Sequence, residues 1–272
     1  MSLPPSRRTR IMGILNVTPD SFSDGGRYTG LDAAVARATE LLAAGADILD
    51  IGGQSTRPGA EVIPLAEELQ RVIPVIERLR AELGPEPLIS VDTTRAAVGA
   101  AALAAGANWL NDISGGTYDP QMLPLAAHSG VPVVLMHLRG TPQTMDQLTD
   151  YEDVVGAVRD SLAERAAAAI AAGIRAEQII LDPGIGFAKT PEQNLELLRH
   201  LEELKALGYP LLVGPSRKRF IGHVLGHSDP NQRVWGTAAA CCRAIASGAD
   251  ILRVHDVGPM VDIARMADAL WC

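Results

Sequence analysis

Eight short apolar runs, separated by longer stretches with helical spacing, limit what this chain can fold into more than any other feature of its sequence. The runs are IMGIL from 11, DILDI from 47, LISV from 88, NWLND from 108, VPVVLM from 131, QIILD from 178, PLLVG from 210 and DILRV from 250. Between them, apolar positions recur every three or four residues, which predicts helices at about 31–44, 65–83, 94–105, 119–129, 151–172, 191–207, 232–247 and 258–270. The runs are continuous rather than alternating, as in strands of a parallel sheet covered on both faces. Six helical stretches end on a glycine just before the next run, at Gly45, Gly106, Gly130, Gly173, Gly208 and Gly248. Glycine is the residue that enters the left-handed helix terminator without a Cβ clash. Eight βα repeats in 272 residues predict a single-domain α/β fold, a (β/α)8 TIM barrel over 1–272.

The charge balance narrows the partners. Lys and Arg number 24 against 32 Asp and Glu, a net charge of −8, so binding nucleic acid through general basicity is excluded. The cysteines, Cys241, Cys242 and Cys272, have neither a bridging nor a zinc-binding spacing, and the chain is expected to be cytoplasmic. The basic start SRRTR precedes only the run Ile11 to Leu15, too short for a signal core, and no stretch is apolar enough to span a membrane.

In a barrel of this kind the loops after the strands build the active site, so the residues closing each run carry the chemistry. They are Asn16, Asp50, Asp92, Asn111 with Asp112, His137, Asp182, Ser216 to Lys218, and Arg253 with His255. Any one of them can serve as a helix cap or turn residue. As a set they suit a ligand with two unlike ends. Asp92, Asn111 and Asp182 match a flat nitrogen heterocycle bearing several N–H groups. GPSRKRF, Arg57 and RVHD match a phosphate or diphosphate, with Arg253 and His255 on one face of the last strand. The acidic and basic groups are expected to separate to opposite sides of the mouth.

Other segments complete the expectation. Lysine occurs only at 189, 205 and 218, so Lys218 marks a place for a compact ammonium; Lys189 stands where a dinucleotide fingerprint begun by Gly184 and Gly186 would need its third glycine. Thr190, Pro191 and Gln193 read as a helix start, and Arg217 as part of a solvated helix face. The long loops 16–30 and 52–63 read as mobile lids. Asn16 offers a hard oxygen for Mg²⁺ beside a diphosphate, and Asp24 serves equally as a lid group or as a turn residue before Gly25. No nucleophilic side chain is evident: there is no GxSxG, and His137 has no visible Cys or Ser partner.

The strings GILNVTPDSFSDGG, DIGGQSTRPG, SVDT, NDISGG, LMH, DPGIGFAKTPEQN, GPSRKRFIG and RVHDV, running from Gly13 to Asp256, resemble the dihydropteroate synthase family in content and order. The resemblance implies a homodimeric (β/α)8 barrel that joins 6-hydroxymethyl-7,8-dihydropterin diphosphate to 4-aminobenzoate by SN1-like loss of diphosphate, with Mg²⁺. It implies that Asn16 binds the metal, that Asp92, Asn111, Asp182 and Lys218 contact the pterin, and that Thr56, Arg253 and His255 hold the diphosphate. Asp24 and Arg57 would help form the aminobenzoate pocket. Two positions depart from the family pattern: Gln54 where Glu is usual, and Arg219 where Ser is common. A pterin-binding methyltransferase would share the carboxylate end, but Arg253 occupies the Asp position of its DxHxxG motif and no corrinoid module is expected. A noncatalytic pterin-binding barrel would be expected to lose Asn16, Asp24, Lys218, Arg253 or His255, all of which are present. Removing Lys218 or Arg253 is expected to cost turnover and leave unfolding unchanged.

Overall fold

The computed structural model describes residues 8–18 and 27–271. Its strands are β1 Arg10–Asn16, β2 Ile48–Gly52, β3 Leu88–Asp92, β4 Trp109–Asp112, β5 Val133–Met136, β6 Ile179–Asp182, β7 Leu212–Val213 and β8 Ile251–Val254. Its helices are α1 Arg27–Ala43, α2 Leu65–Leu83, α3 Ala96–Ala104, α4 Met122–Ser129, α5 Val154–Ala171, α6 Pro191–Arg199, α7 Leu201–Lys205, α8 Arg219–Leu225, α9 Val234–Ala246 and α10 Val257–Trp271. All strand pairs are parallel, in the order β6-β5-β4-β3-β2-β1-β8-β7. The ring closes between β6 and β7 through the isolated bridge Leu181↔Leu211, beside a Leu181 N–H to Pro210 carbonyl bond of 2.9 Å. The expected (β/α)8 barrel is the fold, and each of the six helix-ending glycines has positive φ, from 66° at Gly130 to 111° at Gly106.

Strand alternation sorts the core into two layers. Residues facing outward, such as Leu49, Val91, Leu110, Leu135 and Leu252, pack under the helices in the main apolar cluster. Facing inward, each strand gives one residue to a plug: Met12, Ile48, Leu88, Trp109, Val134, Ile180, Leu212 and Ile251. Two residues further along the same strands, the inward positions are Ile14, Asp50, Ser90, Asn111, Met136, Asp182, Gly214 and Arg253. The apolar plug therefore supports a polar floor directly above it, at the end of the barrel where the strands run out.

Three element boundaries differ from the sequence reading. The helix expected over 191–207 breaks at His200, whose φ of −121° leaves the helical region, giving α6 and α7. Helix α8, not among the eight helix ranges predicted above, forms on RFIGHVL and stops at Gly226, φ 70°. Helix α1 begins at Arg27, inside the stretch 16–30 taken as a lid, and Asp24 lies outside the described residues. Among the described residues, no helix is long and apolar enough to cross a membrane.

Candidate active site

A cleft opens over the polar floor. Thr56, Asp92, Asn111, Asp182, Lys218 and Arg253 line it, with Ile113, Met136, Ile185 and Phe187 as its apolar wall. Six of the expected site residues, from six different segments of the chain, are thus brought to one place. They do not separate by charge as expected. Arg253 Nε donates to Asp50 Oδ2 at 2.6 Å and Nη2 donates to Asp92 Oδ2 at 2.7 Å, so the guanidinium sits among the carboxylates. The cause is burial: a charge inside the barrel is tolerated only when paired. This also corrects the expectation that Arg253 supports nothing structural.

Asp50, fully buried, organises a second contact, accepting from Asn111 Nδ2 at 3.0 Å on the same oxygen. A carboxylate only accepts, so the amide nitrogen must face it, and Asn111 Oδ1 is left for a ligand N–H. Burial pushes the Asp92 carboxyl up to about 7 against the pull of Arg253, with Asp50 adding to the rise. Burial carries Asp182 up to about 6, opposed by the Gly184 N–H, which donates to its Oδ1 at 2.7 Å. Across the cleft, Lys218 Nζ rests 4.0 Å from the centre of the Phe187 ring, a cation–π contact. Burial, helped by Arg253, lowers its amine to about 8.

His255 follows β8 and is tied to the β7 loop: its N–H donates to Ser216 Oγ at 3.1 Å and its Nδ1 lies 3.0 Å from the same oxygen. Burial, reinforced by Arg253, Arg217 and Lys218, pushes the imidazole down to about 3. It is neutral near pH 7, so it offers an N–H to an anion and not the charge expected of it. Arg217 is not on a solvated helix face; it lies in the loop before α8 with its guanidinium on Asp256.

Residues 12–255 match the family model described as pterin binding enzyme. The dihydropteroate synthase of Synechocystis sp. is 59% identical over 265 residues, 97% of this chain and 91% of that protein. The Bacillus subtilis dihydropteroate synthase is 50% identical, over 99% of this chain and 91% of its own. The chain belongs to the pterin-binding enzymes, in the dihydropteroate synthase family. Among solved members, Xanthomonas albilineans dihydropteroate synthase with 4-aminobenzoic acid matches with a TM-score of 0.90 and 49% identity, covering 97% of this chain and 93% of that one. The Yersinia pestis dihydropteroate synthase with a sulfonamide drug matches with a TM-score of 0.92 and 43% identity, covering 99% of each chain.

The positions that depart from the dihydropteroate synthase pattern are both accommodated. Gln54 Oε1 accepts from Ile63 N–H at 3.4 Å, bracing the 53–64 loop on itself. Arg219 is exposed and pairs with Asp146 at 2.7 Å, so its charge is compensated. That loop is tied down further: Gly59 N–H donates to the Pro142 carbonyl at 2.9 Å, and Arg95 Nη2 donates to the Ile63 carbonyl at 2.6 Å. Arg57 is exposed on it and does not line the cleft. Asn16 ends β1, half-buried beside Gly52 in register, also outside the cleft lining. Among the described residues, no group of three or more His, Cys, Asp or Glu is placed to hold a metal ion. A protein-built cage is thus lacking there; Asn16 fits Mg²⁺ only as one oxygen among phosphate oxygens and waters.

Sequence reasoning passed over Lys189. It is buried, and its Nζ lies 3.0 Å from His137 Nδ1, 3.0 Å from the Gly184 carbonyl and 3.0 Å from the Phe187 carbonyl. It therefore pins the loop that carries Asp182 and Phe187. Burial lowers it to about 7 and His137 to about 2, so His137 accepts this bond as a neutral ring. The scarcity of lysine that singled out Lys218 applied equally to Lys189.

Proposed function

We infer that the cleft carries out dihydropteroate synthesis, and that its residues divide the labour as follows. Asp92, Asn111 and Asp182 receive the N–H groups of the pterin, and Lys218 leaves the Phe187 ring to reach its acceptor side. Arg253 presents the nitrogen not engaged by Asp50 and Asp92 to the diphosphate, with Thr56 and the neutral His255 donating beside it. Asp24 and Arg57 belong to the aminobenzoate end. The bond from the methylene carbon to the diphosphate oxygen breaks with its electron pair leaving on diphosphate. The amine lone pair of 4-aminobenzoate then forms the C–N bond and a proton is lost from nitrogen. Positive charge grows on the pterin next to Asp92 and Asp182, and negative charge meets the free nitrogen of Arg253, whose other two are held by Asp50 and Asp92. The opposing groups are thus preorganised side by side and not at separate poles. Mg²⁺, held through Asn16 and the substrate's own oxygens, would neutralise part of the leaving group's charge when bound. A cytoplasmic homodimer is part of the same reading, and the exposed Trp235, Met266, Leu270 and Trp271 on α9 and α10 give one flank the apolar character a subunit contact needs.

The observation that carries this reading is the polar floor of Asp50, Asn111, Asp182 and Arg253, capped by Asp92 and Lys218, above a fully apolar plug. Its test is incubation with the dihydropterin diphosphate, Mg²⁺ and 4-aminobenzoate. Dihydropteroate formed in step with diphosphate release is the expected result; with all three present, diphosphate released without dihydropteroate, or none released, overturns the reading.

A further inference from the structure

Arg217 is one of two non-glycine residues with positive φ among the described residues, at 58°. The left-handed region crowds Cβ against the backbone, so an arginine stays there only where its surroundings hold it. Every polar group of Arg217 is held. Its N–H donates to Thr237 Oγ1 at 3.0 Å, and its carbonyl accepts from Arg233 Nη1 at 3.0 Å. Nε and Nη2 form a fork on Asp256, at 2.9 and 2.5 Å, and Nη1 donates to Asn231 Oδ1 at 2.8 Å. Asp256 follows His255 directly, just as Arg217 lies between Ser216 and Lys218. The β7 and β8 loops are therefore stitched twice, by Ser216 with His255 and by Arg217 with Asp256.

We propose that Arg217 and Asp256 form a positioning clasp, touching no substrate, that sets Lys218 and His255 at the spacing needed for one to meet the pterin and the other the diphosphate of the same substrate. The proposal deepens the functional reading above and rests on it for the identity of the anion. The left-handed turn lies between Ser216, whose hydroxyl holds His255, and Lys218, which lines the cleft, so one short loop governs both. The fork fixes that loop against the segment carrying His255, and a bidentate guanidinium–carboxylate pair defines a plane as well as a distance.

Glycine adopts φ near 58° freely, so Arg217→Gly keeps the turn and removes the fork; Asp256→Asn removes the charge with little change in shape. Calorimetric binding of inorganic diphosphate with Mg²⁺ is measured first, then steady-state turnover, with thermal unfolding alongside. The clasp predicts that each variant weakens diphosphate binding at least about tenfold and lowers kcat/KM for the pterin substrate on the order of 100-fold, as small displacements of reacting groups do. KM for 4-aminobenzoate should stay unchanged, and the double variant should be no worse than either single one. Wild-type binding of diphosphate by both variants, losses that simply add, or losses that scale with lowered unfolding temperature would overturn it, as would a wild-type protein that does not bind diphosphate. A wild-type protein that binds diphosphate through the clasp yet makes no dihydropteroate would sink the functional reading alone.

Discussion

Replacing Arg253 by Ala would leave Asp50 and Asp92 facing each other in the dry interior of the barrel, since both lose the guanidinium that pairs them. Arg253→Ala should therefore cost about 3–5 kcal/mol of stability as well as activity, because it strands buried charge. Lys218→Ala strands nothing comparable; turnover should drop by orders of magnitude while chemical denaturation stays near wild type. Asp182 gives a prediction of the opposite sign. Its carboxyl is ordinarily near 3.8 and rises to about 6 in the fold, so the folded state holds the proton more tightly than the unfolded chain. The wild type therefore loses stability as pH rises through this window, by on the order of 3 kcal/mol from this group. Asp182→Asn should match wild type near pH 4 and exceed it at pH 8 in thermal unfolding, while losing activity. Ionised Asp92 and Asp182 and protonated Lys218 together require a bell-shaped kcat/KM for the pterin substrate. Its acid limb should fall between about 6 and about 7 and its alkaline limb at about 8. A flat profile over this range would show that these groups do not bind the substrate in the stated forms.

The loop from β6 to α6 shows what a sequence displays and what it hides. Thr190, Pro191 and Gln193 were readable as a helix start, and the capping box is present: Gln193 N–H donates to Thr190 Oγ1 at 3.3 Å and Thr190 N–H to Gln193 Oε1 at 2.8 Å. Such a motif is local, so its parts lie within three residues and leave a pattern. Lys189 bonding to His137 links positions 52 apart, and the Arg253 clamp on Asp50 spans 203, distances at which a single sequence carries no pairing signal. The inward-facing polar ring was legible because strand alternation dictates it; that the ring mixes its charges was not, because that follows from which side chains reach across the barrel. Thr190→Ala should cost about 1 kcal/mol in denaturation with kcat retained. Gly184→Ala is expected to be worse: its φ is 67°, and a Cβ there would run into the His137 carbonyl oxygen. It should lower both stability and pterin affinity, and a variant with wild-type pterin binding would show that this loop tolerates displacement.

At the scale of the whole molecule, the eightfold repeat made the architecture plain, while the strength of the individual strand contacts was not written in the apolar runs. PLLVG looks as apolar as its neighbours, yet β7 forms only over Leu212–Val213 and touches β6 through a single bridge. Asp182 stands at the end of β6 and Lys218 just past β7, one on each side of that weak junction. Without substrate, deuterium should enter the amides of β6 and β7 sooner than those of β1 to β3, and mass spectrometry after brief labelling should register the difference. A pterin gripped by both residues should slow that uptake selectively; equal uptake around the ring would contradict it. Substrate then acts as a staple across the barrel's one poorly sewn edge, and filling the site and completing the wall become a single event.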